Sequence, residues 1–479
     1  MDLDFVAELR GVLGPEHVLE GDAIGPRYSQ DLWGVERRGD PRLVLRPGDT
    51  AEVSAVLRLC HQARRPVVPQ GGMTGLVGAG LPDSTEVVLS LERMNRIDEV
   101  DTATRTMTVQ AGATLQAVQD RAAIDDLQFP LDLASRGSCT IGGCLATNAG
   151  GNRVLQHGTA RDLTLGVEAV LADGTVIHGL RKLVKNNTGY DLKHLFVGSE
   201  GTLGVITGSV LRLRPRAARR YVAFCGLASA HAAVALLNRL QGLLPGMISA
   251  FEGIWDNAYA LVKDGPVRLP LPPHHPMYVL LECEDSDRPG SDRSDAADRF
   301  IEAMDACAQF LDDAVIGTTE SEIKGLWAVR EQIPAEVLRM DPLIGFDVSL
   351  PGSGLDPFLA ELIAGLRQRW PAARLVTFGH LGDGNVHIAV VTGSDTPHAD
   401  KPFVEDIVYA TVAPYAGSIS GEHGIGFEKR PYLHYSRTPA EIELMRTIKR
   451  ALDPLNILNP GRVFDVAGSG GRDTVDSRQ

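Results

Sequence analysis

Residues 69–80 read PQGGMTGLVGAG, and residues 137–153 read GSCTIGGCLATNAGGNR. Both runs hold more glycine than turns alone require. Backbone without side-chain bulk exposes its N–H groups, and a row of such groups can cradle a pyrophosphate. Neither run is a strand, a GxGxxG and a helix in succession, and neither is a Walker loop, so the Rossmann and P-loop folds are disfavoured. Plain surface loops are the competing reading. A third element, LFVGSEGTLGVIT at 195–207, adds a Gly-Ser-Glu-Gly turn entering an apolar strand.

Around these loops the chain alternates short strands and helices. RPGDTAEVSAVLRLCHQARRPVVPQGG (46–72) reads as a helix capped by Asp49 or Thr50, burying Val53, Val56, Leu57 and Cys60 and ending at Arg65-Pro66. TEVVLSLERMNRI and RTMTVQAGATLQAVQDRA supply two strands and another helix. LTLGVEAVLADGTVIHG (163–179) is a hairpin around Asp173-Gly174. The alternation continues to about residue 214 and indicates an α+β domain. RLRPRAARR (212–220) reads as a hinge, and YVAFCGLASAHAAVALLNRLQG begins a second strand–helix succession. The polar, Pro/Gly/Ser-rich stretch 284–299 reads as a surface loop leading into a helix. The expected division is a first domain 1–217, a second 218–420, a segment 421–467 returning to the first, and a disordered tail 468–479.

At 479 residues the chain exceeds what one core serves, so roughly two to three domains are expected. A net charge of −14 argues against nucleic acid and against an anionic membrane surface. Six scattered cysteines make no disulfide framework in a chain this long. The N-terminus MDLDFVAELRGVLG has neither the basic start nor the apolar run of a signal peptide, and no apolar stretch is long enough for a membrane span. Cytoplasmic residence is the expectation.

One further stretch carries chemistry. FGHLGDGNVHIAVV (378–391) places His380 and His387 around a Gly-Asp-Gly turn. If Asp383-Gly384 is a two-residue hairpin loop, His380 pairs with His387 on one face, with Cβ atoms roughly 4.5–5.5 Å apart, suited to chelating one metal ion. Ordinary strand histidines are the competing reading. The nearest candidate third ligand is in SISGEHGIGFEKR (418–430), where Glu422 and His423 stand between Gly421 and Gly424. A His, His and Glu set leaves positions open for a substrate oxygen, a catalytic arrangement.

The three glycine segments, in this order, resemble the flavin domain of the vanillyl-alcohol oxidase and p-cresol methylhydroxylase superfamily, and GHLGDGNVH and GEHGIG look like its D-2-hydroxyacid dehydrogenase branch. RKLVKNNTGYDLKHLFVGSEGTLGVIT (181–207) is especially similar to D-2-hydroxyglutarate dehydrogenases, then to D-lactate dehydrogenases. The resemblance runs from about residue 40 to Pro460-Gly461. It implies an α+β fold: a two-subdomain FAD-binding domain of the p-cresol methylhydroxylase type, and an α+β substrate domain with an antiparallel sheet. It further implies a noncovalent FAD against Pro69, Gly71, Gly72, Met73, Thr74, Gly75 and Leu76. Asp132, Ser138, Gly142, Gly143, Thr147, Asn148 and Gly151 would form the far wall, with Glu200, Gly201, Gly204 and Ile206 alongside and Asn459 returning from the C-terminus. Met73 stands where relatives often carry a small or polar residue, and His157 replaces a usual Tyr.

The implied reaction is oxidation of a 2-hydroxyacid. A metal on His380, His387 and Glu422, zinc from the donor set with manganese or iron as alternatives, would grip the carboxylate and hydroxyl. His423 would take the hydroxyl proton while C2 gives a hydride to the flavin. Asn385 is placed to hydrogen-bond the substrate carboxylate, and the planar fork of Arg330 in LWAVREQIP suits bidentate binding of one. An electron-transfer flavoprotein, a quinone or a cytochrome is the expected acceptor, and a homodimer is possible. D-2-hydroxyglutarate dehydrogenases typically carry a Lys where LIGFDVSLP (343–351) has Gly345, and Pro334 supplies no hydroxyl where relatives use a Thr. Ile344 and Phe346 are read as further apolar pocket wall. The expectation is therefore a D-2-hydroxy monocarboxylate such as D-lactate, with D-2-hydroxyglutarate as the alternative. An oxygen-using oxidase, a metallohydrolase and a non-catalytic electron-transfer subunit are the other classes weighed.

Overall fold

Asp49 accepts a hydrogen bond from the Glu52 N–H and starts the helix Thr50–Gln62, whose Val53, Val56, Leu57 and Cys60 are buried as their spacing predicts. The computed structural model that shows this describes residues 3–31, 38–285, 296–340 and 343–466. The expected tail and residues 286–295 of the polar stretch lie outside the described residues.

Two main sheets make up the first half, beside a two-stranded pair of Leu127–Gln128 with Arg214–Pro215. Val18–Leu19, Val44–Leu45, Val87–Ser90 and Val67–Gln70 form one in that order, with parallel pairing between the last three strands. Ile97–Asp101, Thr106–Gln110, Val205–Arg212, Thr164–Val170 and Val176–Gly179 form an antiparallel second. The Asp173-Gly174 hairpin is present: the Leu171 N–H donates to Thr175 O, and Gly174 takes a φ of +86° that favours glycine. One apolar core runs from Phe5 to Leu213 and takes in Ile457 and Leu458 from the far end of the chain.

The second half is built on seven antiparallel strands in the order Asp313–Gly317, Arg219–Leu227, Met277–Asp285, Ile248–Trp255, Arg374–Gly379, Asn385–Val391, Ile344–Ser349. The helices Ala230–Leu243 and Leu355–Arg369 cover one face, and Glu320–Leu338 covers the other. Successive strand residues point to opposite faces. Ile344, Phe346 and Val348 therefore enter the core with Val386, Ile388 and Val390, whereas Gly345 and Asp347 share the other face with Ala389 and His387. This corrects the expectation that Ile344 and Phe346 wall the pocket; Phe346 instead packs edge-on against Tyr409.

The C-terminal segment is pinned to the first half by buried polar bonds. Asn459 N–H donates to Val67 O, Lys449 Nζ donates to Thr202 O and Leu458 O, and Arg462 pairs with Glu86. Between the halves, Arg153 joins Asp132 to Glu282 at 2.9 and 3.0 Å, and Glu284 receives His157 and Arg220. All six cysteines are free and buried. No helix among the described residues is long and apolar enough to cross a membrane.

Candidate active site

The glycine loops face each other across a cleft of about 350 Å³. Their composition has a steric cause. A Cβ on Gly72 would stand 2.0 Å from Ser138 O, so the two loops meet backbone to backbone. Gly71, Gly72, Met73, Thr74, Gly75 and Leu76 line one side with Pro69. Gly142, Gly143 and Thr147 line the other. Glu200, Gly201, Gly204, Ile206 and Asn459 close it. These residues fit a flavin dinucleotide: the walls are mostly backbone and apolar carbon, and the loops leave no Cβ in the way.

Four expected contacts are elsewhere. Asp132 is turned to Arg136 and Arg153, and Asn148 Oδ1 accepts from Thr159 and the Arg161 N–H. Ser138 and Gly151 act through close backbone approach, to Gly72 and to Asp132 O respectively. Leu133, Ala134 and Ser135 line the cleft without having been expected, because no glycine marks them. Glu200 lines it too, yet its carboxylate is committed to the Ile425 and Gly426 N–H groups at 2.7 and 2.8 Å. That bond holds the GEHGIG loop over the cleft. Burial pushes the Glu200 carboxyl up, against those two donors.

The cleft ends at Glu422 and His423. There the imidazoles converge. His387 Nε2, His380 Nε2 and His423 Nε2 lie 3.6, 3.8 and 4.0 Å from Glu422 Oε1. His380, His387 and Glu422 form a group whose donor atoms all lie within 4.8 Å of one another, and the nitrogen and oxygen donors suit a divalent cation. The route to this convergence differs from a two-residue hairpin. Leu381–Asp383 forms a 3₁₀ turn ending at Gly384, Phe378 pairs with His387, and the Asn385 N–H bonds to His380 O. Leu381 is drawn into the core, 2% exposed, which winds the chain there and swings His380 in from the turn. The rings of His380 and His387 are 5.4 Å apart.

Two buried carboxylates stand behind the imidazoles. Asp347, fully buried, lies 3.9 Å from both His387 Nδ1 and His423 Nδ1, 3.6 Å from Lys429 Nζ, and accepts the Glu422 and His423 N–H groups at 3.0 and 2.9 Å. Asn385 donates its amide to Asp347 Oδ1 at 2.6 Å and to Val348 O, so it braces Asp347 with both of its N–H groups committed. This corrects its expected role at the substrate carboxylate. Glu252 meets His380 Nδ1 at 2.8 Å and Arg330 Nε at 2.9 Å. Arg330 is buried, with its guanidinium 5.0 Å from the Phe378 ring, which is itself 5.2 Å from His387.

Charge follows this web. Burial pushes Glu422 up, but the hydrogen bond and charge of His380 bring it down to about 2. Burial holds His387 at about 4, opposed in part by Glu422 and Asp347. His423 is lowered by burial, with Asp347 pulling the other way. His380 is raised despite burial, because Glu252 and Glu422 flank it. Sequence reading missed Glu252 and Asp347. The signal was there: each is a lone carboxylate in an otherwise apolar strand, ISAFEGIW and IGFDVS.

Residues 41–179 match the family described as "FAD binding domain", and residues 216–463 match "FAD linked oxidases, C-terminal domain". The chain is 40% identical to a mitochondrial D-2-hydroxyglutarate dehydrogenase of Bos taurus, covering 96% of this chain and 83% of that protein. It is 38% identical to a D-2-hydroxyglutarate dehydrogenase of Xanthomonas citri pv. viticola, covering 91% and 92%. It is 37% identical to a putative mitochondrial D-lactate dehydrogenase of Schizosaccharomyces pombe, covering 89% and 82%. A solved p-cresol methylhydroxylase with substrate bound superposes with a TM-score of 0.73 at 17% identity, covering 97% of each chain.

Proposed function

The chain belongs to the family of FAD-linked oxidases that includes D-2-hydroxyglutarate dehydrogenases, and is an FAD-dependent oxidoreductase; on that premise we propose that it oxidises a D-2-hydroxy monocarboxylate to the 2-oxoacid with the help of a divalent metal. The observation that carries this reading is the junction itself: a backbone-walled cleft ends at the carboxylate on which three imidazole Nε2 atoms converge.

When bound, FAD supplies the hydride acceptor, and a cation on His380, His387 and Glu422, zinc by the donor set, supplies a Lewis acid for the substrate oxygens. His423 takes the hydroxyl proton on Nε2. Its Nδ1 faces Asp347 Oδ2, and burial keeps the imidazole neutral near pH 7, the form a base requires. Arg330 has only Nε committed to Glu252, so its Nη atoms serve a substrate carboxylate. Asp347 holds two imidazoles and the backbone of Glu422 and His423 in place. An electron-transfer flavoprotein, a quinone or a cytochrome would be the electron acceptor.

The choice of a monocarboxylate rests on this chain's own residues beside His387. Gly345, Ala389 and Val376 lie side by side on the face that carries His387, Ala389 and Val376 buried under the helix Glu320–Leu338, and none offers a polar group. Arg330 already faces Glu252, and Lys429 already faces Asp347. With Arg330 shared between Glu252 and the first carboxylate, a second substrate carboxylate would be desolvated beside that apolar row, at a cost of several kcal/mol. The relatives named D-2-hydroxyglutarate dehydrogenase favour the other reading, D-2-hydroxyglutarate itself.

Anaerobic flavin reduction with a panel of D- and L-2-hydroxyacids tests the proposal. Bleaching by D-lactate or a longer apolar-tailed D-2-hydroxyacid is expected. Absence of bleaching with every 2-hydroxyacid would defeat it.

A further inference from the structure

Glu252 lies mid-strand in Ile248–Trp255 and is 1% exposed. An ionised carboxylate persists in such a place only when its oxygens are satisfied. Each oxygen has a separate partner. Oε1 meets His380 Nδ1, from a turn 128 residues away, and Oε2 accepts from Arg330 Nε, on a helix 78 residues away.

Each bond fixes something the site uses. An ionised carboxylate only accepts, so His380 carries a proton on Nδ1, and its Nε2, facing Glu422 Oε1, is the nitrogen left for a cation. The bond to Nε fixes the plane of the Arg330 guanidinium and sets its Nη atoms beside Phe378. One rigid strand residue therefore aims a metal ligand and a substrate-binding cation together.

We propose that Glu252 is a positioning residue that ties the orientation of His380 to that of Arg330, so that metal affinity and substrate affinity depend on the same carboxylate. The proposal rests on the metal-assisted reading above.

The test uses the FAD-loaded enzyme, stripped of metal and titrated with Zn²⁺ against a chromogenic chelator, and then assayed at saturating Zn²⁺. In Glu252→Gln one amide oxygen must serve two donors. Zinc affinity should fall about 10- to 100-fold, the usual worth of such a supporting carboxylate. At saturating zinc the metal arm is restored by mass action, so a remaining rise in KM of about tenfold with little change in kcat reports Arg330. Arg330→Lys should raise KM and leave zinc affinity alone, and only the Glu252 change should move both. Should the uncompensated Arg330 charge prevent Glu252→Gln from folding, Glu252→Gln/Arg330→Met removes it. That protein should match Arg330→Met in KM yet still bind zinc more weakly. A Glu252 variant with full FAD and an unchanged zinc affinity, or an unchanged KM at saturating zinc, overturns the proposal. Wild type that binds no zinc overturns the metal-assisted reading as well, which separates the two failures.

Discussion

The cleft and the site at its end are built from different material. The cleft is backbone: loops 69–80 and 137–153 touch through Gly72 and Ser138 O, and side chains contribute mainly by being small. The proposed metal and base site is side chain: Asp347 and Glu252, both fully buried, hold imidazoles that arrive from a turn, a strand and a distant loop. A backbone cradle tolerates most changes and fails when bulk is added. A carboxylate web fails when one charge is removed, because the remaining partners are left buried and unpaired.

The largest expected effect separates the two parts. His380→Ala, or a strong chelator, should abolish turnover while FAD stays bound at full stoichiometry, measured by flavin absorbance after desalting. Loss of FAD on chelation would mean that the metal group supports the cleft and that the two parts are one. Next in size, His423→Asn should retain both flavin and metal yet slow single-turnover flavin reduction by about 10²- to 10⁴-fold, the worth of a positioned base. A slowing of less than tenfold would move the base elsewhere. On the cleft side, Gly72→Ala puts a Cβ 2.0 Å from Ser138 O, where backbone cannot yield cheaply. Overpacking of about 1–3 kcal/mol should appear as weakened FAD retention, whereas Met73→Ala, which only removes bulk from the cleft lining, should retain the cofactor.

This division also explains what was legible in the sequence. The cleft announces itself because glycine density is local, and the Asp49 cap and Asp173-Gly174 turn were readable for the same reason. His380, His387, Glu422 and His423 were readable because they stand in two short glycine-containing motifs. Their supports were not, because a carboxylate's partner is chosen by sheet register. Glu252 finds His380 only because Gly253 and Ile254 pair with Gly379 and Phe378 across two strands distant in sequence. Asn385 was misread for a related reason: its place in the turn motif says nothing of Asp347, which reaches it through the neighbouring strand. Strand parity alone would have put Ile344 and Phe346 on the far face from Asp347.

A third carboxylate group joins the two parts and gives a smaller effect. Glu284 receives His157 from the cleft side and Arg220 from the substrate side, and lies near Arg153. Burial pushes it up, but His157, Arg153 and Arg220 bring it from 4.5 to about 2. A carboxyl depressed in the folded state adds stability that is present above its unfolded value and is lost as pH falls toward 2. Wild type should therefore lose up to about 3 kcal/mol of unfolding free energy from this group between pH 5 and pH 2, on the scale of 1.36 kcal/mol per unit. Glu284→Gln should be less stable at pH 7 and show a shallower decline, seen in urea melts across that range. Parallel pH curves for the two proteins would remove Glu284 from the junction.

The smallest effect concerns what the pocket accepts, where backbone and side chain meet in one row. Gly345 is opposite Ala389 on the face that carries His387, with Val376 beyond. Gly345→Lys would place an ammonium there with no acidic partner directly opposite it, and a substrate with a second carboxylate could supply one. D-2-hydroxyglutarate should gain and apolar-tailed substrates should lose. The expected shift in the ratio of kcat/KM values for D-2-hydroxyglutarate over D-lactate is about tenfold, or roughly 1.4 kcal/mol of transition-state discrimination. The same measurement on wild type is the sharper half of the test. If wild type already favours D-2-hydroxyglutarate by tenfold or more, then Arg330 binds the second carboxylate despite Glu252. The apolar row would then be one the substrate does not touch, and side-chain charge would set specificity as it orders the imidazole cluster.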